Sequence, residues 1–226
     1  VESPSLHFAP GLRLGFTGEV PRQRAQIGDG DSMTVLYDLA APGSTYFARW
    51  THAYAPYAVV GRPASSLVIQ QDGGLALACA LAGKATRITL VVDDPRIAAR
   101  TAHHYGATSV TVLADTPRSF VARTTLRFTT IAVEEWGPTI PGRASLHESS
   151  LLTREAIQAY WKRLEDDGVL AISRRIVLPP SDSLRLFATC LDALAREGVG
   201  DPSLHLAVIR SWDSCTLLVS RPPFGE

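Results

Sequence analysis

The sequence lacks the features that mark nucleic-acid-binding, membrane-spanning and secreted proteins. Its 22 Lys and Arg residues are balanced by 22 Asp and Glu residues, so it has no basic excess to neutralise a phosphate backbone, and we expect no nucleic-acid partner. No apolar run approaches the roughly 20 residues that a membrane-spanning helix needs, and no secretory signal peptide is evident. Because the sequence opens on Val1 without an initiator Met, we expect a piece of a longer protein, whose remainder could tether it to a membrane.

Cysteine is scarce, and patterns of metal ligands are missing. The three cysteines are too few for a disulfide framework and lie in apolar segments, so we expect buried reduced thiols and a cytoplasmic protein. They are Cys79, Cys190 and Cys215. The adjacent His103 and His104 fall on a predicted helix, where neighbouring side chains point about 100° apart and cannot converge on one ion. The sequence therefore predicts no metal site.

The apolar content is high enough for a full core. With 226 residues, 46% of them apolar, the chain suits one α/β domain with a small appendage. Residues 1–45 are rich in glycine and turn signals, and short alternating segments around Leu12 and Leu36 predict an N-terminal β-hairpin region. Residues 46–60 read as a helix or helical turn that is interrupted at Pro56.

Residues 46–226 form the predicted main domain, in which strands and helices alternate as in an α/β fold. The predicted strands are 67–69, 87–92, 109–113, 128–133, 169–173, 205–210 and 215–220, the last two as an antiparallel pair. The predicted helices are 75–82, 97–105, 118–123, a helix capped by Thr153, and 182–196. Gly168 and Gly198 stand where left-handed residues commonly end a helix.

The stretch 65–95 is typical of the first βαβ unit of a nucleotide- or nucleoside-binding domain. A predicted strand leads through Gly73 and Gly74 into a helix and then into a second strand. Gln70 and Asp72 stand in the turn, where such a loop usually has glycine so that its backbone can approach a ligand. The scaffold for an adenosine-type ligand is present, but its binding residues are altered.

Several segments carry a resemblance to a known family. They are DGGLALACALAG (72–83), DDPRIA (93–98), PRSFVART (117–124) and LHESSLLTREAIQAYWKRLEDDGVLAISRR (146–175). In these the chain resembles the spermidine synthase-like family, the polyamine aminopropyltransferases, which have the class I S-adenosylmethionine-dependent methyltransferase fold. The resemblance implies a Rossmann-like, mostly parallel seven-stranded sheet with an antiparallel C-terminal strand. It also implies a homodimer that pairs through the N-terminal sheet and the adjoining helices.

The resemblance implies roles for particular residues. S-adenosylmethionine or its decarboxylated form would be the cofactor, held by Asp72, Gly73, Gly74, Asp93 and Asp115. Glu134, followed by Glu135, stands where the family has the Asp that deprotonates the attacking amine. Tyr54, Tyr57 and Trp136 would line the substrate pocket, and His147 could carry a proton.

Four positions depart from the family's pattern. Val92 occupies the place of the acid that accepts the ribose hydroxyls, and Gly137 that of the second Asp of the active-site loop. Met33 replaces a glutamine that contacts the ligand, and Gln70 replaces a glycine. Two hypotheses therefore stand: a catalytically silent relative that serves as a binding or assembly domain, or an active transferase with Glu134 as general base.

The individual residues also have structural readings. Glu134 could be a solvated loop acid, and Asp94 could cap the following helix at Pro95. Gly73 and Gly74 could be kept for close packing between helix and strand, whether or not a ligand binds. Trp136 could pack beneath the long loop that follows it.

Overall fold

The computed structural model describes residues 9–27, 33–70, 74–106, 108–136 and 150–225. The chain forms a two-stranded antiparallel hairpin and a seven-stranded sheet in the order β5-β4-β3-β6-β7-β9-β8. The hairpin strands are β1 (Gln23–Ile27) and β2 (Met33–Tyr37). The sheet strands are β3 (Ser65–Gln70), β4 (Arg87–Val92), β5 (Val110–Ala114), β6 (Phe128–Glu135), β7 (Leu164–Arg175), β8 (Leu206–Arg210) and β9 (Ser214–Ser220).

The strands β3 to β7 run parallel to one another, and β9 is antiparallel to its neighbours β7 and β8. This arrangement confirms the predicted Rossmann-like methyltransferase fold, including the antiparallel last strand. The predicted antiparallel pairing of the final two strands is confirmed by the register of β8 with β9.

Helices cover both faces of the sheet. They are α1 (Ala55–Val60), α2 (Leu75–Ala82), α3 (Pro95–His104), α4 (Pro117–Arg123), α5 (Arg154–Arg163) and α6 (Ser181–Arg196). One buried cluster joins β2, α1, α2 and α3 to the first face, and a second joins α4, α5 and α6 to the opposite face. We call these the hairpin face and the α5–α6 face.

Local signals explain where the helices begin. The Asp94 carboxylate accepts the backbone N–H groups of Arg96 and Ile97 at the start of α3, and the Thr153 hydroxyl accepts that of Ala156 at the start of α5. The predicted caps at both positions are confirmed. Gly198 has the expected left-handed conformation, with φ of 81°, just beyond the end of α6.

Three local predictions were wrong. Pro56 lies in the first turn of α1, where its missing N–H is not needed, so it begins a helix instead of interrupting one. Two short 3-10 turns, Tyr46–Trp50 and His52–Tyr54, precede that helix. Leu12 makes only an isolated bridge to Thr51 and belongs to no strand, because the hairpin forms further along the chain.

The third wrong prediction concerns Gly168. It lies within β7, which begins at Leu164 directly after α5, and its φ is not positive. A Cβ atom at this position would lie 3.0 Å from the carbonyl oxygen of Phe128 and 3.0 Å from the backbone of Glu165. Glycine is therefore needed here for the close approach of two backbones, not for a helix cap.

The cysteines are all free and buried, as predicted. Within the described ranges, no helix combines the length and the apolar character needed to cross a membrane.

Candidate functional site

The sheet has its switch point between β3 and β6. From β3 the chain continues to α2 on the hairpin face, whereas the first described helix after β6 is α5, on the opposite face. Gln70 and Glu134, near the carboxyl ends of the two strands, are partners in register. Open α/β sheets bind their ligands at such a point, so Glu134 lies where the sequence predicts the site.

Glu134 is fully buried, with 0% of its surface exposed. The indole N–H of Trp136, itself only 2% exposed, donates a hydrogen bond of 3.1 Å to Oε1 of Glu134. Trp136 belongs to the buried cluster of the hairpin face. The predicted base and the predicted substrate-lining Trp136 are thus brought together inside the core.

Other groups on the hairpin face respond to the charge of Glu134. Burial raises the pKa of Tyr37 and of Tyr105, and the nearby negative charge of Glu134 raises both further. Burial likewise raises the pKa of the Cys79 thiol, with a smaller contribution from Glu134. The carboxylate of Glu134 therefore lies among phenol and thiol groups that stay neutral at physiological pH.

The hairpin covers the start of α2 and is fixed there by hydrogen bonds. The Tyr37 backbone N–H donates to the Tyr105 hydroxyl at 3.1 Å, and Nε2 of His104 donates to the Tyr37 carbonyl at 2.9 Å. A Cβ atom on Gly74 would lie 2.5 Å from the carbonyl oxygen of Val35. Glycine is thus required at position 74 by the close approach of β2. This agrees with the predicted packing role, and the strand that approaches belongs to the hairpin.

Two of the predicted cofactor residues, Asp72 and Gly73, lie outside the described residues, as do Gly137 and His147. Asp93 is exposed at the end of β4, just after the buried Val92. Asp94 caps α3 and forms an ion pair of 3.3 Å with Arg96.

Asp115 follows β5 and its carboxylate is paired with Arg123. Its backbone N–H donates to the Val92 carbonyl at 3.0 Å, which holds the ends of β4 and β5 together. The described contacts of Asp115 therefore connect it to α4 and β4 of the fold.

The predicted catalytic pair is divided between the two faces of the sheet. Successive residues of a strand point to opposite sides, and Glu135 accordingly lies on the α5–α6 face. There its charge adds to burial in raising the pKa of Tyr160. Glu134 and Glu135 therefore cannot act together on one substrate atom.

The predicted pocket tyrosines differ in their surroundings. Tyr57 is fully buried, and a hydrogen bond of 3.0 Å joins its hydroxyl to that of Ser66. Tyr54 is half-buried, with its ring 5.9 Å from that of Tyr57 and 5.8 Å from the guanidinium carbon of Arg49. Of the two, Tyr54 is the one that remains accessible to a ligand.

Sequence reasoning missed a buried histidine beside the site. Nδ1 of His52 is hydrogen-bonded to the Thr216 hydroxyl at 2.7 Å, and Nε2 to the Ser214 hydroxyl at 2.9 Å. Its ring centroid lies 6.3 Å from that of Trp136. Burial lowers the pKa of His52 to about 4, although the charge of Asp213 opposes this change. No local signal marks this residue, because its partners follow it by more than 160 positions.

Metal ligands do not cluster in the part of the chain that the structure describes, where no group of three or more His, Cys, Asp or Glu side chains could hold an ion.

Comparison with known proteins gives likeness in structure only. No protein-family model matches the sequence, and no curated protein does. A probable spermidine synthase from Corynebacterium glutamicum has 14% identity and a TM-score of 0.60, covering 92% of this chain and 79% of that one. Thermotoga maritima spermidine synthase has 16% identity and a TM-score of 0.54, covering 91% and 71%. Human methyltransferase-like protein 13, solved in complex with SAH, has 15% identity and a TM-score of 0.51, covering 79% and 80%. The chain therefore has the Rossmann-like fold that spermidine synthases share with S-adenosylmethionine-dependent methyltransferases.

Proposed function

We propose that this chain is a catalytically silent relative of the spermidine synthases, serving as a binding or assembly domain. The observation that carries this proposal is the complete burial of Glu134 beneath the Trp136 indole and the hairpin. A general base has to come within about 3 Å of the proton that it removes, directly or through one water. In this structure the Glu134 carboxylate is hydrogen-bonded to the Trp136 indole within the core.

Changes in the cofactor-binding residues support the same function. Val92 cannot accept a hydrogen bond from a ribose hydroxyl, and it is buried. Loss of one such contact to a charged acceptor costs about 1.5–3 kcal/mol, or a tenfold or greater loss of affinity. Asp94 and Asp115, which lie near it, are paired with Arg96 and Arg123, and the exposed Asp93 is the one acid beside Val92 that could take over the contact.

A second candidate function is that of a transferase, and the position of Glu134 at the switch point favours it. S-adenosylmethionine or its decarboxylated form would then lie against Gly74 and Asp93, supplying a methyl or aminopropyl group to an amine. Glu134 would accept the proton of the attacking nitrogen. This function requires Trp136 to move away from the carboxylate.

Calorimetric titration of the chain with S-adenosylmethionine, its decarboxylated form and methylthioadenosine tests the proposal. We expect no binding at ligand concentrations up to about 1 mM, which corresponds to less than about 4 kcal/mol of binding free energy. Micromolar binding of any of the three would overturn the proposed function and favour the transferase.

Turnover of putrescine would then be measured in the Glu134→Gln variant. The matched control is Glu165→Gln, which changes a half-exposed acid near the start of β7. A transferase with Glu134 as base would lose its activity in the first variant and keep it in the second.

The expected homodimer belongs to this proposal as well. Sedimentation of the chain at micromolar concentration tests it, and a mass of one chain at all concentrations would contradict pairing through the N-terminal sheet.

A further inference from the structure

A row of four side chains crosses the α5–α6 face near the carboxyl end of β7. Arg174 of β7 is in register with Glu135 of β6 on one side and with Cys215 of β9 on the other. Cys215 is in turn in register with Arg210 of β8. Partners in register on neighbouring strands project from the same face of a sheet. Two arginines therefore flank a cysteine at this edge of the sheet.

The positive charges of this row lack partners within the described part of the chain. Neither Arg174 nor Arg210 forms an ion pair there, and the Nε atom of Arg174 is buried without a hydrogen-bond partner. The neighbouring Glu135 does not supply an acceptor to this Nε atom, and its own buried Oε2 also has no hydrogen-bond partner. A buried donor without an acceptor costs free energy, and a bound anion would supply an acceptor to the Nε atom of Arg174.

The strand register places Arg174 and Arg210 on either side of Cys215. Burial raises the pKa of the Cys215 thiol, while the Ser183 hydroxyl and the charges of Arg174 and Arg210 act in the opposite direction. The Ser183 hydroxyl, in the first turn of α6, lies 4.0 Å from the sulfur. Arg174 and Arg210 thus neighbour Cys215 on the two adjoining strands, and the Ser183 hydroxyl lies beside its sulfur.

We propose that Arg174 and Arg210, assisted by the Ser183 hydroxyl, bind the carboxylate or phosphate group of a small molecule that lies over Cys215. Guanidinium groups match both anions geometrically, with two parallel N–H donors for two oxygens. The site is on the face opposite Glu134, so it goes beyond the proposed function and does not depend on a nucleoside ligand. It favours acidic ligands over polyamines, whose charge has the same sign as that of the arginines.

Calorimetric titrations with inorganic phosphate and with acetate, in a low-salt buffer, test this site and distinguish the two anions. We expect saturable binding of at least one of them. Arg174→Gln and Arg210→Gln should each weaken it about tenfold, as loss of a charged hydrogen-bonded partner does. Arg175→Gln is the matched control, because Arg175 follows in the same strand and points to the opposite face, in register with Ser214. It should leave the affinity unchanged.

The two ligands assign the chemistry of the site: tighter phosphate binding indicates a phosphate ester, and tighter acetate binding a carboxylic acid. Absence of saturation by either anion at about 20 mM would overturn the proposal, since the binding free energy would then be weaker than about 2.3 kcal/mol. So would an equal loss in Arg175→Gln and Arg174→Gln. Arg210 is exposed, so its variant keeps the test decisive if Arg174→Gln fails to fold. These titrations contain no nucleoside. A negative result would therefore overturn the anion site without bearing on the proposed function.

Discussion

Gly74→Ala is expected to lower the free energy of unfolding by about 2 kcal/mol. The new Cβ atom would lie 2.5 Å from the carbonyl oxygen of Val35, and a backbone carbonyl within a strand cannot turn aside as a flexible side chain can. The φ of Gly74 is −105°, which any residue adopts, so the cost is steric and not conformational. Restriction of the unfolded chain by alanine returns at most about 1 kcal/mol. In a domain of this length the melting temperature should fall by about 4–8 °C.

Gly200→Ala provides the control for this prediction. Gly200 has no positive φ and no atom within 4 Å of the Cβ position, so the same chemical change should alter stability by less than about 0.5 kcal/mol. Chemical denaturation of the two variants measures the difference. Equal stability would mean that β2 moves away from α2 at little cost, and the hairpin would then be a cover that opens readily over Glu134.

The main-domain elements could be predicted from local pattern alone. The predicted helix 75–82 and strand 87–92 coincide with α2 and β4, because turn residues bound both and apolar residues run through them. Thr153 was identified as a cap because a helical apolar pattern follows it directly. Such signals lie within a few residues of one another, and the alternation of the elements then limits the fold to a few arrangements.

The environment of the site depends on contacts that are distant in sequence. Tyr37 meets Tyr105 across 68 positions and His52 meets Thr216 across 164, and no local pattern indicates either pair. The hairpin was predicted, but its position over Gly74 was not. The separation of Glu134 from Glu135 was available from the sequence, because the two residues end a strand and must point to opposite faces.

Acidification from pH 7 to pH 4 is expected to remove about 3 kcal/mol of stability through His52 alone. In the folded chain its pKa is lowered from the ordinary 6.5 to about 4, chiefly by burial. The unfolded chain therefore binds a proton near pH 6.5, whereas the folded chain binds one only near pH 4. The stabilising contribution of neutral His52 is fully present above pH 6.5 and is lost as the pH falls from 6.5 to 4. Well below pH 4 this group causes no further change. The pKa differs by 2.5 between the two states, which at about 1.4 kcal/mol for each pH unit gives about 3.5 kcal/mol in full. About 3 kcal/mol of this is lost by pH 4, where half of the folded chains have bound the proton.

The comparison that isolates His52 is the pH dependence of unfolding in His52→Gln. Glutamine does not titrate, so the variant should lose about 3 kcal/mol less than the parent chain between pH 7 and pH 4. It will be less stable at pH 7, because one of the hydroxyl groups of Ser214 and Thr216 loses a partner. His103→Gln is the control for the chemical change itself, because it makes the same substitution at an exposed position. Parallel pH profiles for His52→Gln and the parent chain would contradict this prediction. They would show that His52 has the same pKa in the folded and unfolded chains, which requires its ring to be hydrated and its packing against Trp136 and β9 to open to water.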